Sequence, residues 1–188
     1  MNNKWIFFLM LLIISFNGFS QKKAKILEDT ILWNADYQLT KDDFKAVAKK
    51  GYAGYAVTLI YLYTKETDGE MQFVVEALFS RTRSALAINS EYGIKHERGH
   101  FDICEIYARK LRQRMLKKNF LKVKNINAEI NEMYNQINTE LKEAQDKYDK
   151  QTEHSMNMVQ QKSWEAKIST DLNELYEYSS TEVDIVNK

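Results

Sequence analysis

Apolar and polar positions along the chain change period twice, and each change marks a different kind of element. Between residues 29 and 80 the pattern is that of strands. Thr30 to Trp33 is short and β-prone, Tyr55 to Tyr63 is rich in aromatic and β-branched residues, and Met71 to Phe79 alternates. In that last run Met71, Phe73, Val75, Ala77 and Phe79 share one face, with Gln72, Val74, Glu76, Leu78 and Ser80 on the other, which predicts a half-buried strand. Thr67-Asp68-Gly69-Glu70 reads as a hairpin turn, because Asp-Gly accepts the positive φ such turns require. Thr40-Lys41-Asp42-Asp43 before Phe44 reads as a helix start, with Thr40 as N-cap and Asp43 three residues on.

From Glu91 to about Lys118 the period becomes helical. His96, His100, Cys104, Tyr107, Leu111 and Met115 form one stripe, and Lys95, Arg98, Asp102, Arg109 and Arg112 lie largely opposite. Ile126, Ile130, Met133, Ile137, Leu141, Ala144 and Tyr148 then recur at spacings of three and four, and no proline interrupts them. That seam is too short for an extended coiled coil, so a helical hairpin folding back on the preceding helix is the preferred reading. Trp164, Ile168, Leu172 and Leu175 predict one more helix, and residues 179–188 are expected to form a loose tail. The expected fold class is α+β: a small antiparallel sheet of about three strands packed with three to four helices.

The first twenty residues have the grammar of a secretory signal peptide. Lys4 provides the positive region, Trp5 to Phe16 the apolar stretch, and Gly18-Phe19-Ser20 the small residues of a cleavage site that would leave Gln21 first. A retained N-terminal anchor is the alternative, although the apolar run is shorter than the ~20 residues of a membrane span. No cysteine follows the expected cut, so a lipoprotein-type anchor is not indicated. Residues 21–178 have the length of a single domain. Export leaves periplasm, cell surface or medium open as the destination.

The 27 basic and 26 acidic residues nearly cancel, which argues against nucleic-acid binding or a polybasic membrane role. Cys104 is the sole cysteine, so no intrachain disulfide can form and packing must supply the stability. A buried apolar role is the expectation for Cys104.

The stretch that carries chemistry is His96-Glu97-Arg98-Gly99-His100. It has the H-E-x-x-H pattern, in which one helix offers two zinc ligands and a general base. Residues four apart lie one above the other on a helix, so both imidazoles can converge on one ion. Glu97, one residue round, could take a proton from water activated there. Both histidines fall on the apolar stripe, where their nitrogens need partners.

A catalytic zinc usually takes three protein ligands. Asp102 and Glu105 are the nearest acids, but on a continuous helix they lie about 160° and about 140° from His100. They are expected behind the site or on the surface. The chain has three histidines, and the third, His154, lies near the end of the long helix, where an antiparallel return would bring it back to the motif. His154 is the expected third ligand, with Glu153, Asp149 and Glu165 as alternates. Tyr107, Tyr148 and Tyr92 stay open as stabilisers of an oxyanion. One of the strands between 55 and 79 could offer an edge to an extended peptide.

Beyond the motif itself, the chain resembles a family of bacterial domains of unknown function regarded as predicted secreted zinc-dependent proteases. The likeness rests on His96 to Arg109 with its Phe101-Asp102-Ile103 continuation, and on Leu39-Thr40-Lys41-Asp42-Asp43-Phe44 upstream. Downstream it takes in Tyr148-Asp149, Thr152, His154, Gln161 and Trp164. It implies a zincin-like helix followed by a helical hairpin, metal ligation by His96, His100 and His154, catalysis by Glu97, Zn2+ as cofactor and a peptide or protein as substrate. Ser155 stands where the family pattern has glycine, and Lys41 where an aromatic is common. The competing class is a non-catalytic exported zinc-binding or scaffold domain of the cell envelope.

Overall fold

Chain order in the computed structural model, which describes residues 29–48, 53–67, 70–88 and 90–185, is strands first, helices next and a strand last. The strands are β1 (Thr30–Leu32), β2 (Gly54–Tyr55), β3 (Thr58–Thr67), β4 (Glu70–Ser80), β5 (Ala85–Leu86) and β6 (Glu182–Val183). The helices are α1 (Glu91–Lys117), α2 (Ile126–Thr152) and α3 (Met158–Glu174). The fold is α+β, with a four-stranded antiparallel sheet and a separate β2–β5 ribbon. The expected leader over 1–20 and the Asp68-Gly69 turn lie outside the described residues. Among the described residues no helix is long and apolar enough to cross a membrane.

β4 is the spine of the sheet. β3 runs antiparallel along one side, from Thr58↔Phe79 to Thr67↔Glu70, while β1 and β6 share the other, at Ile31↔Phe79 and Phe73↔Val183. Paired residues point to the same face, so Ile60, Val75, Ala77, Phe79 and Val183 project together into the core under α1. Phe79 meets Phe101 of α1 at 5.7 Å between ring centroids. Val74 and Leu78, on the opposite face of β4, are buried as well, so the strand is covered more fully than its half-buried reading allowed.

β6 replaces the loose tail expected for 179–188 as far as Ile185, the last described residue. Val183 and Ile185 join the core, and Val75 N–H donates to Thr181 O at 2.9 Å. The helix start expected at Thr40 shortens to a single 3₁₀ turn, Lys41–Asp43. The Asp43 carboxylate there accepts from Thr40 N–H at 2.8 Å and from the Tyr37 hydroxyl at 3.0 Å. Local capping chemistry was read correctly, but nothing continues the turn into a helix.

Each long helix opens on a side-chain cap: Ser90 for α1, Asn125 for α2 and Asn157 for α3. α2 returns antiparallel to α1, with Arg114 against Glu140 at one end and Tyr148 against His96 at the other. α3 runs back along α2, as Trp164 Nε1 donating to Gln151 Oε1 records. α1 is thus central, with the sheet on one side and α2 and α3 on the other. Cys104 is fully buried there, and burial pushes its thiol up to about 12.

That central position corrects the expected polar face of α1. Arg109 and Arg112 are not solvated; both are buried, Arg112 to 1 % exposure. Glu105 Oε1 accepts from Arg109 Nε at 2.8 Å and from Arg112 Nη1 at 2.9 Å. Arg112 Nε reaches Val75 O at 3.0 Å, its Nη1 reaches Tyr178 O at 2.9 Å, and Arg109 Nη1 reaches Leu172 O at 2.8 Å. One charged cluster therefore ties α1 to β4, to the end of α3 and to the C-terminal segment.

Candidate metal centre

Two turns of α1 and the last turns of α2 meet at the motif. His96 and His100 are both buried on the α1 face turned toward α2. His96 Nε2 lies 3.1 Å and His100 Nε2 3.0 Å from the same oxygen, Asp149 Oδ1. Ligand atoms of His96, His100 and Asp149 all fall within 4.8 Å of one another. Two imidazole nitrogens and a carboxylate oxygen form a donor set that suits zinc.

The third member of this cluster is Asp149, an alternate in the sequence reading, and His154 is not among the three. His154 stands beside the cluster, with Nδ1 3.6 Å from Asp149 Oδ1 and a side chain 75 % exposed. Glu153 and Glu165 do not join the cluster. The reason lies in the chain after α2: Glu153, His154 and Ser155 have φ of 51°, 50° and 74°. This left-handed run ends the helix and turns His154 outward just past the last helical turn. Ser155, at the position where the resembling family has glycine, adopts a backbone that glycine takes freely.

Glu97 projects from α1 to a different neighbour, the β2–β5 ribbon. Ala56 N–H donates to its carboxylate, and a Cβ built on Gly54 would lie 3.2 Å from Glu97 Oε1. Gly54 leaves the room that the carboxylate occupies. Burial raises the Glu97 pKa, and His100, His96 and the Ala56 amide offset only part of that rise. Its Oε2 is buried without a hydrogen-bond partner among the described residues, as is Nδ1 of His100. Burial also disfavours charge on Asp149, but hydrogen bonds from His100 and His96 outweigh it and hold the carboxyl well below its ordinary range. For His96 burial acts to lower the pKa, and the bonds to Asp149 and Gln161 reverse the sign and raise it.

Tyr148 and Gln161 form the floor of the site. The Tyr148 ring stacks on His96 at 4.7 Å and 15°, and meets His100 edge-on at 4.9 Å. Its hydroxyl donates to His96 O at 3.1 Å, so it is committed to the scaffold instead of standing ready for an oxyanion. Gly99 makes this approach possible: a Cβ there would lie 2.3 Å from the Tyr148 hydroxyl oxygen. Gln161 Oε1 lies 3.1 Å from His96 Nδ1. Sequence reasoning gave Gln161 no role, although a signal was present: it begins the apolar stripe of α3 ahead of Trp164 and Ile168.

The remaining expectations fall away from the cluster. Asp102 accepts from Trp33 Nε1 at 2.8 Å and Arg98 Nε at 2.7 Å, and Glu105 belongs to the arginine cluster. Tyr107 lies under Lys110 Nζ at 4.2 Å. On β3, the Ile60 carbonyl accepts from the Tyr134 hydroxyl of α2 at 2.8 Å, so that stretch of edge is already engaged. A cavity of about 980 Å³ opens between Trp33, Leu39, Arg98 and Ile168, but His96, Glu97, His100 and Asp149 do not line it. Its size reflects the gap between α1, α3 and the 33–41 segment, and the chemistry lies elsewhere.

Residues 76–155 match the model of a family whose description reads bacterial protein of unknown function (DUF922). The matched span runs from within β4 to the turn after α2, so the chain is similar to that family across His96, Glu97, His100, Asp149 and His154. No curated protein and no solved structure gives a significant match.

Proposed function

We propose that the protein is an exported zinc-dependent peptidase, with His96, His100 and Asp149 holding the ion and Glu97 as general base. The observation that carries this reading is the convergence of three ligand atoms within 4.8 Å, with a buried carboxylate next in the chain. A zinc ion there would act as a Lewis acid, lowering the pKa of water and polarising a peptide carbonyl. Glu97 Oε2, with no partner among the described residues, would take the proton of the attacking water and return it to the leaving nitrogen. Its raised pKa brings giving and taking of that proton closer in energy. Asp149 sets the spacing of the two imidazoles, and Tyr148 backs both rings.

The test is zinc content beside turnover. Purified protein is expected to hold about one zinc per chain. Glu97→Gln should keep the metal and lose peptide hydrolysis. Protein that carries no zinc and takes none up on addition would sink the proposal. A second reading, a zinc-binding domain without turnover, draws on His154 standing 3.6 Å from Asp149, since a fourth protein ligand would close the site to water. In that case zinc is bound, a broad peptide library stays uncut, and Glu97→Gln changes nothing.

A further inference from the structure

Gln161 is an amide in a core position, 1 % exposed, and both ends of it are engaged. Its Nε2 lies 3.2 Å from Glu165 Oε1 and 2.8 Å from the Tyr148 hydroxyl oxygen, while its Oε1 lies 3.1 Å from His96 Nδ1 and 3.0 Å from that same hydroxyl. An ionised carboxylate only accepts, so Glu165 selects the orientation in which the amide nitrogen faces it and the amide oxygen faces the imidazole. That oxygen also only accepts, so His96 carries a proton on Nδ1. Nε2 is then the nitrogen presented to Asp149 and His100.

Tyr148 closes the circuit. Its own proton has two acceptors, His96 O at 3.1 Å and Gln161 Oε1 at 3.0 Å, and with it given to either, the oxygen accepts from Gln161 Nε2. Backbone, ring face and Nδ1 of His96 are thus all held by one pair of side chains from α2 and α3. His100 has no equivalent among the described residues, where its Nδ1 is buried without a partner. The two motif histidines look alike in sequence and are held differently in the fold.

We infer that Gln161, oriented by Glu165 and Tyr148, is the positioning residue that fixes His96 as an Nε2 ligand. The inference rests on the zinc reading of the site, and it makes Glu165, an alternate ligand in the sequence reading, a support two hydrogen bonds removed from His96. Outer partners of ligating histidines are worth about 10–100-fold in metal affinity.

Two measurements on the purified protein test this. By chelator competition, Gln161→Leu should bind zinc about 10–100-fold more weakly than wild type. Gln161→Glu keeps an acceptor opposite Nδ1 and should bind nearly as well as wild type. Glu165→Ala, an exposed change that spares the core, should show a smaller loss in the same direction. Long-range ¹H–¹⁵N spectra should show His96 protonated on Nδ1 in wild type, with and without zinc, and that signal should be lost or rapidly exchanging in Gln161→Leu. Wild-type affinity in both Gln161→Leu and Glu165→Ala, or a His96 Nδ1 without a proton in the wild-type spectrum, would overturn the assignment. If wild type binds no zinc, the peptidase reading fails alone, because the metal-free spectrum still decides whether Gln161 holds the Nδ1 proton. A Gln161→Leu chain that does not fold leaves Gln161→Glu and Glu165→Ala to give the answer.

Discussion

At Gly99 the motif helix and the tyrosine beneath the site come closest, and one methyl group would end that fit. A Cβ there would lie 2.3 Å from the hydroxyl oxygen of Tyr148 and 2.8 Å from its Cζ, and Tyr148 is fully buried with its hydroxyl bonded to His96 O. The ring cannot retreat without leaving His96. Gly99→Ala is therefore expected to cost about 1–3 kcal/mol, the usual range for overpacking, measured by denaturant unfolding, and to weaken zinc binding along with it. Ser155 presents the opposite case, since its φ of 74° is strained for any residue with a Cβ. Ser155→Gly should stabilise the protein by roughly 0.5–1 kcal/mol, the left-handed strain of about 1–2 kcal/mol less the added chain entropy of glycine. A destabilised Ser155→Gly would mean that the serine side chain contributes something its backbone strain does not reveal. At this scale the motif placed His96 and His100 together, because residues four apart lie one above the other on a helix, and their nitrogens do converge. Gln161 could not be read the same way, since a glutamine among apolar positions announces a buried polar group but not the partner it meets.

Among the elements, α1 shows what periodicity can and cannot say. Its histidine stripe was legible because the stripe is a property of α1 itself. Its second buried face was not, because Arg109 and Arg112 read as solvated positions until the sheet and the C-terminal segment close over them. For the same reason β6 escaped detection: two residues carry no pattern, and pairing with Phe73 and Val74 of β4 is what makes them a strand. Long elements with many repeats, α2 and β4, were placed closely. The buried arginines make a sharp forecast. Among the described residues Glu105 is the carboxylate paired with both of them, so Glu105→Gln leaves two buried guanidiniums without that counter-charge. Breaking a buried pair in this way costs about 3–5 kcal/mol, which thermal or denaturant unfolding should register as a severe loss. A change within ~1 kcal/mol would show that water reaches the cluster and screens it.

Across the whole molecule, the site depends on the relative placement of three helices that are distant in sequence. His96 and His100 come from α1, Asp149 from α2, and the brace on His96 from α3. The choice between Asp149 and His154 was closed to sequence reasoning for this reason. Both lie where an antiparallel α2 reaches the motif, and only the left-handed run at 153–155 decides which one faces inward. An ion held between α1 and α2, as the proposed function has it, would report on their packing as well as on chemistry. With free zinc at about 100 times its dissociation constant, the folded state gains about 2.7 kcal/mol. For a domain of this size that corresponds to a rise in Tm of roughly 5–10 °C, which a chelator should reverse in a thermal scan. Asp149→Ala should abolish most of the zinc-dependent rise, and His154→Ala should leave most of it intact, because the exposed imidazole stands beside the three ligand atoms without completing them. The reverse ranking of those two variants would return the third place to His154, with Asp149 as the carboxylate that orients it. Identical melting with zinc and with chelator in wild type would mean that α1 and α2 are joined by packing alone.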